Sequence, residues 1–257
     1  MKIIIAGYGF VGKAVANSLK DQNELHIVDP RYATSTLNDF PNPDGVIICV
    51  GTPSTADGDC DIKQIQLVLD NLPYGLPVLI KSTVAPDYLE AIANNYQDHD
   101  ICYSPEFLRA ASANEDFANQ SYMVLGGEDP GKMWQTMFEE SLPNCKSFLN
   151  TTFAEASTIK YATNCFLSLK VSFFNQLYDI CEQNGADFDV VRQVLSYDNR
   201  IGHSHMQVPG PDDQRGFGGG CFPKDATAFI RYGNRLDVNL SILETAIKYN
   251  KKVRKNP

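Results

Sequence analysis

Short apolar runs alternate with amphipathic stretches through residues 1–150, and turn-forming residues separate them. Residues 2–6, 24–28, 45–50, 78–81, 101–104 and 121–125 read as strands, the first a buried one running into a glycine turn. Helices are expected at 13–19, 62–72, 88–95 and 131–140. Strand and helix alternating in this way predict an α/β fold with a mostly parallel, doubly wound sheet.

The texture changes after Phe148. From residue 154 to 184, Ile159, Ala162, Phe166, Leu169, Phe173, Leu177 and Ile180 recur at three- and four-residue steps, which predicts one long helix. Gly185 ends it, as a glycine just past a helix commonly does. A shorter helix at 188–195 leads into a glycine- and proline-rich loop at 201–220, and two more helical stretches follow. Lys248, Lys251, Lys252, Arg254 and Lys255 make the last of these a basic, solvated helix end. The expected organisation is a first domain over 1–150 and an all-helical domain over 151–257, with no internal repeat.

Composition narrows the classes of function. The 257 residues suffice for one large domain or two modest ones, and 43% hydrophobic with 21% charged residues is ordinary globular usage. A net charge of -9 argues against a nucleic-acid partner and favours a small molecule held by a few local cations. The seven cysteines are scattered, odd in number and without a CxxC pair, so neither a disulfide framework nor a structural zinc site is expected. His203 and His205 stand two apart with no third ligand in view, and no metal is expected. The opening residues read as a strand rather than a signal peptide, and no apolar run reaches the ~18 residues a membrane span needs. A reducing, cytoplasmic setting is the expectation.

Gly7-Tyr8-Gly9-Phe10-Val11-Gly12 falls between a strand and a helix, the context in which a GxGxxG pattern signals a dinucleotide site. Gly7 permits the tight turn, Gly9 lets the backbone approach a pyrophosphate, and Gly12 lets the helix close on its strand. Asp29 follows at the end of the next strand, where a carboxylate accepts both ribose hydroxyls and repels a 2′-phosphate. NAD is therefore expected over NADP, although Arg31 can tolerate a phosphate. The first domain is read as Rossmann-like.

Gly218-Gly219-Gly220-Cys221-Phe222-Pro223-Lys224-Asp225 carries the chemistry. Three glycines clear side chains from the approach to the sulfur. Pro223 suggests a helix beginning near Cys221, whose dipole favours the thiolate, and Lys224 adds positive charge. Asp225, four residues on, shares a helix face with Cys221. Lys160 and Asn164 stand one helical turn apart and can both point at a single oxyanion.

With these segments in place, the chain resembles the UDP-glucose/GDP-mannose dehydrogenase family over almost its whole length. The matching stretches are 7–12, Lys81-Ser82-Thr83-Val84, Ser104-Pro105-Glu106-Phe107-Leu108-Arg109, Ile159-Lys160-Tyr161-Ala162-Thr163-Asn164, Asn199-Arg200-Ile201-Gly202 and 218–225. The resemblance implies oxidation of a nucleotide-sugar primary alcohol to the carboxylate, with two NAD molecules used in turn. Cys221 would form a thiohemiacetal and then a thioester, and Asp225 would work on water together with Thr83 and Glu106. The implied catalytic set is Cys221, Asp225, Lys160, Asn164, Glu106 and Thr83. For the cofactor it is Gly7, Tyr8, Gly9, Phe10, Val11, Gly12, Asp29, Arg31, Thr52, Pro53, Ser82, Thr83 and Lys224. For the substrate it is Glu106, Phe107, Leu108, Arg109, Lys160, Asn164, Arg200, Phe217 and Gly218, with Arg200 reaching a neighbouring subunit. It also implies a homodimer formed through the long helix.

Four features depart from that family pattern. Ala110 stands where a glutamate is usual, and residues 212–215 (Asp-Asp-Gln-Arg) lengthen the loop before Cys221. His205 and Met206 take positions near which family members commonly carry apolar substrate contacts. The family continues into a second nucleotide-binding domain where this chain stops; a truncated chain, a separate polypeptide supplying that domain, and a naturally short form are the open explanations. Two other functional readings stay open: a weak or inactive NAD-binding subunit, and a two-electron dehydrogenase of the 3-hydroxyacid type, which has no use for a nucleophilic cysteine.

Overall fold

The computed structural model describes residues 1–32, 35–129 and 132–254. Gly131, the expected start of one helix, and Lys255 of the basic end lie outside the described residues. The chain divides into two compact units, one of residues 1–55 and 60–160, the other of residues 56–59 and 161–257.

In the first unit the elements run β1 (Lys2–Ala6), α1 (Phe10–Leu19), β2 (Glu24–Val28), β3 (Gly45–Ile48), α2 (Lys63–Leu69), β4 (Pro77–Ile80), α3 (Pro86–Asn95), β5 (Asp100–Tyr103), α4 (Ala113–Ala118), β6 (Tyr122–Gly127), α5 (Met133–Ser141) and β7 (Ser147–Thr151). The seven strands form one sheet in the order β2-β1-β3-β4-β5-β6-β7. Every pair is parallel except β5 with β6. This is the doubly wound architecture that the alternating pattern predicts.

Alternation along the strands sends side chains to two separate cores. Ile3, Ile5, Ile47, Leu79 and Cys102 face Phe117, Trp134 and Phe138 from α4 and α5. Ile4, Val46, Ile48, Val78, Ile80 and Ile101 face Ile65, Leu69, Leu89 and Ile92 from α2 and α3. Both faces are covered, so the central strands are apolar at nearly every position. Burial of each such side chain contributes about 1.5–3 kcal/mol.

Two elements escaped the pattern. β7 is a sheet edge with Ser147, Leu149 and Asn150 exposed, so it has no buried periodicity to read. α4 has six residues and buries only Ala113 and Phe117, too little for a periodic signal. α1 begins at Phe10 rather than residue 13, because Gly9 itself serves as the N-cap.

The second unit holds most of α6 (Phe153–Asn184), then α7 (Phe188–Ser196), α8 (Phe222–Arg235) and α9 (Ser241–Val253). Asp187 caps α7 by accepting from the amides of Asp189 at 2.8 Å and Val190 at 3.3 Å. Its cores are small. Phe174, Cys181, Phe188, Met206 and Val208 form one, and Cys165, Ala226 and Leu243 another. The apolar residues that announce α6 do not all lie inside: Phe166, Phe173 and Ile180 are 64%, 59% and 58% exposed. The buried positions of the helix combine Tyr161, Cys165, Phe174 and Cys181 with Ser168, Ser172 and Asn175. Residues 56–59 belong here through the Asp57 carbonyl, which accepts from Arg231 Nε at 2.7 Å, and the Asp59–Arg235 ion pair.

Candidate active site

The glycine turn between β1 and α1 has the geometry of a phosphate cradle. Gly7 has φ +94°, and a Cβ there would lie 2.7 Å from the Cys49 carbonyl. A Cβ at Gly12 would collide with the Gly7 carbonyl oxygen, so helix and turn meet only because that atom is missing. At Gly9 a Cβ would meet nothing within 4 Å. That position opens to the ligand side, and α1 has no side-chain cap on its first amides.

Asp29, 3% exposed, ends β2 beside this turn. It accepts from the Tyr8 amide at 2.8 Å and the Arg31 amide at 2.9 Å, and Arg31 Nη2 reaches it at 3.2 Å. Burial opposes its ionisation, but these donors outweigh burial and hold its pKa down to about 2. Arg31 thus sits on the carboxylate expected to hold a ribose, and because its own side chain is 71% exposed it can swing away. Tyr8 packs edge-on to Tyr32 at 5.6 Å, and Lys13 Nζ lies 4.4 Å from the Tyr32 ring centroid.

Beyond β3 and β4, Thr52 Oγ1 donates to the Thr83 carbonyl at 2.8 Å, and Ser82 Oγ donates to the Val50 carbonyl at 2.7 Å. Thr52 is buried, Thr83 half-buried and Pro53 exposed. Lys81, between them and 2% exposed, donates to the carbonyl and hydroxyl of Ser104 at 2.9 and 3.0 Å. Burial pushes its pKa down to about 8 against the opposing pull of Cys49 and Glu106. No periodic signal singles it out, since an isolated lysine at a strand end reads as a surface charge.

Glu106 follows the corner after β5. Its Oε1 accepts from Lys160 Nζ at 2.9 Å, its carbonyl accepts from the same ammonium at 2.6 Å, and its Oε2 accepts from the Leu108 amide at 2.6 Å. Both side chains of the pair are at most 5% exposed. Phe107 lies under Lys160, its ring centroid 5.7 Å from Nζ. Arg109 and Arg200, expected at the substrate, are exposed and pair with Asp116 and Asp198, each at 2.6 Å. Ala110 opens a short 3-10 turn and is exposed.

A second cluster belongs to the helical unit. Cys221 is the N-cap of α8, with Pro223 in the first turn, and is half-buried. The other six cysteines are buried. Burial pushes the thiols of Cys49, Cys102 and Cys165 up to about 12, which keeps them protonated and inert. Asp225, 1% exposed, accepts from Asn164 Nδ2 and from Lys224 Nζ, both at 2.6 Å. Asn164 and Lys160 stand one turn apart on α6. Of the three glycines before the cysteine, 219 and 220 are open, whereas Gly218 lies against the Arg254 guanidinium and Phe217 is buried. Among the described residues no group of three or more His, Cys, Asp or Glu side chains could hold a metal, and no helix is long and apolar enough to cross a membrane.

A parallel sheet with a glycine cradle at the end of β1, joined to helices that present a capping cysteine, defines a dinucleotide-binding α/β domain followed by a helical domain. The NAD binding domain of the UDP-glucose/GDP-mannose dehydrogenase family matches residues 25–140, and the central domain of the same family matches 154–252. The chain belongs to the UDP-glucose/GDP-mannose dehydrogenase family, and NAD is the cofactor of its first unit. The UDP-glucose 6-dehydrogenase of Rickettsia typhi is 35% identical over 234 residues, which cover 86% of this chain and 52% of that protein. A UDP-glucose dehydrogenase structure from Pyrobaculum islandicum superposes with a TM-score of 0.83 at 26% identity, over 98% of this chain and 68% of that one. The fold is shared with the 3-hydroxyisobutyrate dehydrogenase of Mycobacterium tuberculosis, at a TM-score of 0.75 and 15% identity, over 98% of this chain and 94% of that one. The chain spans about half the length of the curated relatives it matches.

Proposed function

We propose that this protein is an NAD-dependent oxidoreductase that converts the primary alcohol of a nucleotide sugar, UDP-glucose in the first instance, to the carboxylate. The observation that carries the reading is Cys221: a half-buried thiol at the first turn of α8, one turn from a buried carboxylate that is itself held by Asn164. NAD, when bound, supplies the hydride acceptor, and two molecules are consumed in turn because the oxidation removes four electrons. Gly7, Gly9, Gly12, Asp29, Thr52, Pro53, Ser82 and Thr83 would bind it, with Tyr8, Phe10, Val11, Arg31 and Lys224 at its margins.

The alcohol carbon would first give up a hydride to the bound NAD and its hydroxyl proton to a base, leaving an aldehyde. The Cys221 thiolate would add to that carbon, and the carbonyl oxygen would take up a proton to give a thiohemiacetal. Loss of hydride and the hydroxyl proton yields a thioester, which water cleaves to the acid, returning the thiol. Lys160 and Asn164 stabilise the oxyanion, and Asp225, with Thr83 and Glu106, orients and deprotonates the water. Phe107, Leu108 and Arg109 would line the sugar, with Arg200 acting across a subunit boundary, whereas Phe217, buried, and Gly218, against the Arg254 guanidinium, would back the loop rather than touch the sugar. The outward stripe of Phe166, Phe173 and Ile180 on α6 supports a homodimer formed through that helix. The setting would be cytoplasmic.

Incubation with NAD and UDP-glucose, followed by NADH absorbance, tests the proposal. Two NADH per sugar are expected, and Cys221→Ser should abolish the carboxylate product. One NADH per substrate, unaffected by Cys221→Ser, would favour the two-electron chemistry; NAD binding without turnover on any nucleotide sugar would favour a regulatory subunit.

A further inference from the structure

The loop that enters the cysteine segment is anchored at residue after residue, and the anchors come from α6 and α9. Asn250 on α9 is 4% exposed, and its amide matches both polar groups of one backbone residue: Oδ1 accepts from the Phe217 amide and Nδ2 donates to the Phe217 carbonyl, each at 2.8 Å. Arg254, 7% exposed at the C-cap of α9, pairs with Asp212 and donates to the Arg215 carbonyl at 3.3 Å. Its guanidinium fills the space a side chain at Gly218 would need, so glycine is required there by Arg254 rather than by an approaching ligand. From the other side, Asn175 Oδ1 on α6 accepts from the Gly216 amide at 3.0 Å, and Arg215 pairs with Asp179 at 2.7 Å. Two glycines, 219 and 220, at which a Cβ would meet nothing within 4 Å, separate this anchored segment from Cys221.

We propose that Asn250 and Arg254 are positioning residues that set where Cys221 presents its thiol. The proposal rests on the reading of Cys221 as the nucleophile. Two glycines have too many accessible conformations to aim a side chain. The aim must come from what holds Phe217 and Gly218 on one side and from the first turn of α8 on the other. A displacement of about 1 Å at a reacting atom is enough to cost on the order of a hundredfold in rate. Buried amide and guanidinium groups serve here because every donor and acceptor lost would leave a desolvated backbone group unpaired.

The test compares the wild-type chain with Asn250→Ala, Arg254→Met and Asp212→Asn by three readouts: amide hydrogen exchange over 212–220, the rate and pH profile of Cys221 alkylation by iodoacetamide, and steady-state kinetics. Exchange at Phe217 and Gly218 should quicken about tenfold or more in Asn250→Ala and Arg254→Met. Alkylation of Cys221 should change about fivefold, and kcat should fall about tenfold with KM for NAD within about twofold, since the cofactor cradle is untouched. Folded variants with alkylation profile and kcat within about twofold of wild type would overturn the proposal. Should Asn250→Ala or Arg254→Met fail to fold, Asp212→Asn weakens the brace from its half-exposed end, and about threefold changes in the same directions are expected; none would overturn it equally. A wild-type chain that makes no NADH defeats the proposed reaction alone, because alkylation and exchange still decide whether the brace controls the thiol.

Discussion

Glu106 and Asp225 are both deeply buried carboxylates held by a lysine, and their surroundings differ in how far the fold depends on each pair. Glu106 is sealed in with its cation: Lys160 is 3% exposed, and the Leu108 amide takes the remaining oxygen. Neither partner can leave without stranding the other in a medium that solvates charge poorly. Asp225 pairs with Lys224, whose side chain is 17% exposed, while neutral Asn164 holds its other oxygen. Lys224 can turn to solvent and leave the carboxylate still bonded. Mutation of the sealed pair should cost stability as well as rate, and mutation of the vented one chiefly rate.

Lys160→Met tests the sealed side and should have the largest effect, a loss of about 3–5 kcal/mol in urea unfolding from the uncompensated Glu106 charge. Adding Glu106→Gln should recover much of it; no recovery would show that Lys160 matters by packing alone. Asp225→Asn should cost less, about 1–3 kcal/mol, yet lower kcat at least about a hundredfold. A larger stability loss than for Lys160→Met would erase the distinction.

Lys81 extends the comparison to a buried cation without a directly bonded carboxylate. Its folded pKa, near 8, lies below the usual lysine value, so between about pH 8 and 10.4 the unfolded chain binds more protons and stability rises with pH. Wild type should therefore gain on Lys81→Met as pH climbs through that window, measured by paired denaturation curves. The exposed Arg109–Asp116 pair marks the opposite limit. Arg109→Ala should cost less than about 1 kcal/mol near neutrality. Asp116, its pKa held to about 2 chiefly by Arg109, contributes above the unfolded carboxylate value near 4. That difference should fade as pH falls through about 2.

Local pattern was enough for much of this. The central strands, α6, the glycine cradle and a helix starting at Cys221 all follow from spacings of a few residues, because each rests on backbone geometry close in the chain. β7 and α4 were not legible, since one is a polar edge and the other buries two side chains. The apolar stripe of α6 predicted the helix correctly, while Phe166, Phe173 and Ile180 of that stripe are exposed and Ser168, Ser172 and Asn175 are buried beside Tyr161 and Phe174.

Amino-acid order alone determined the alternating architecture, the NAD-type turn and a helix that begins at Cys221. Tertiary structure alone decided which charge answers which: Lys81 to Ser104, Lys160 to Glu106, Asn164 to Asp225, Asn250 to Phe217. Those partners are separated by 23 to 61 positions, and nothing in a side chain's own neighbourhood reports a group that only folding brings near it. Hydrophobic periodicity reports which face is dry; the pairing of polar groups inside that dry face depends on where the whole chain has already packed.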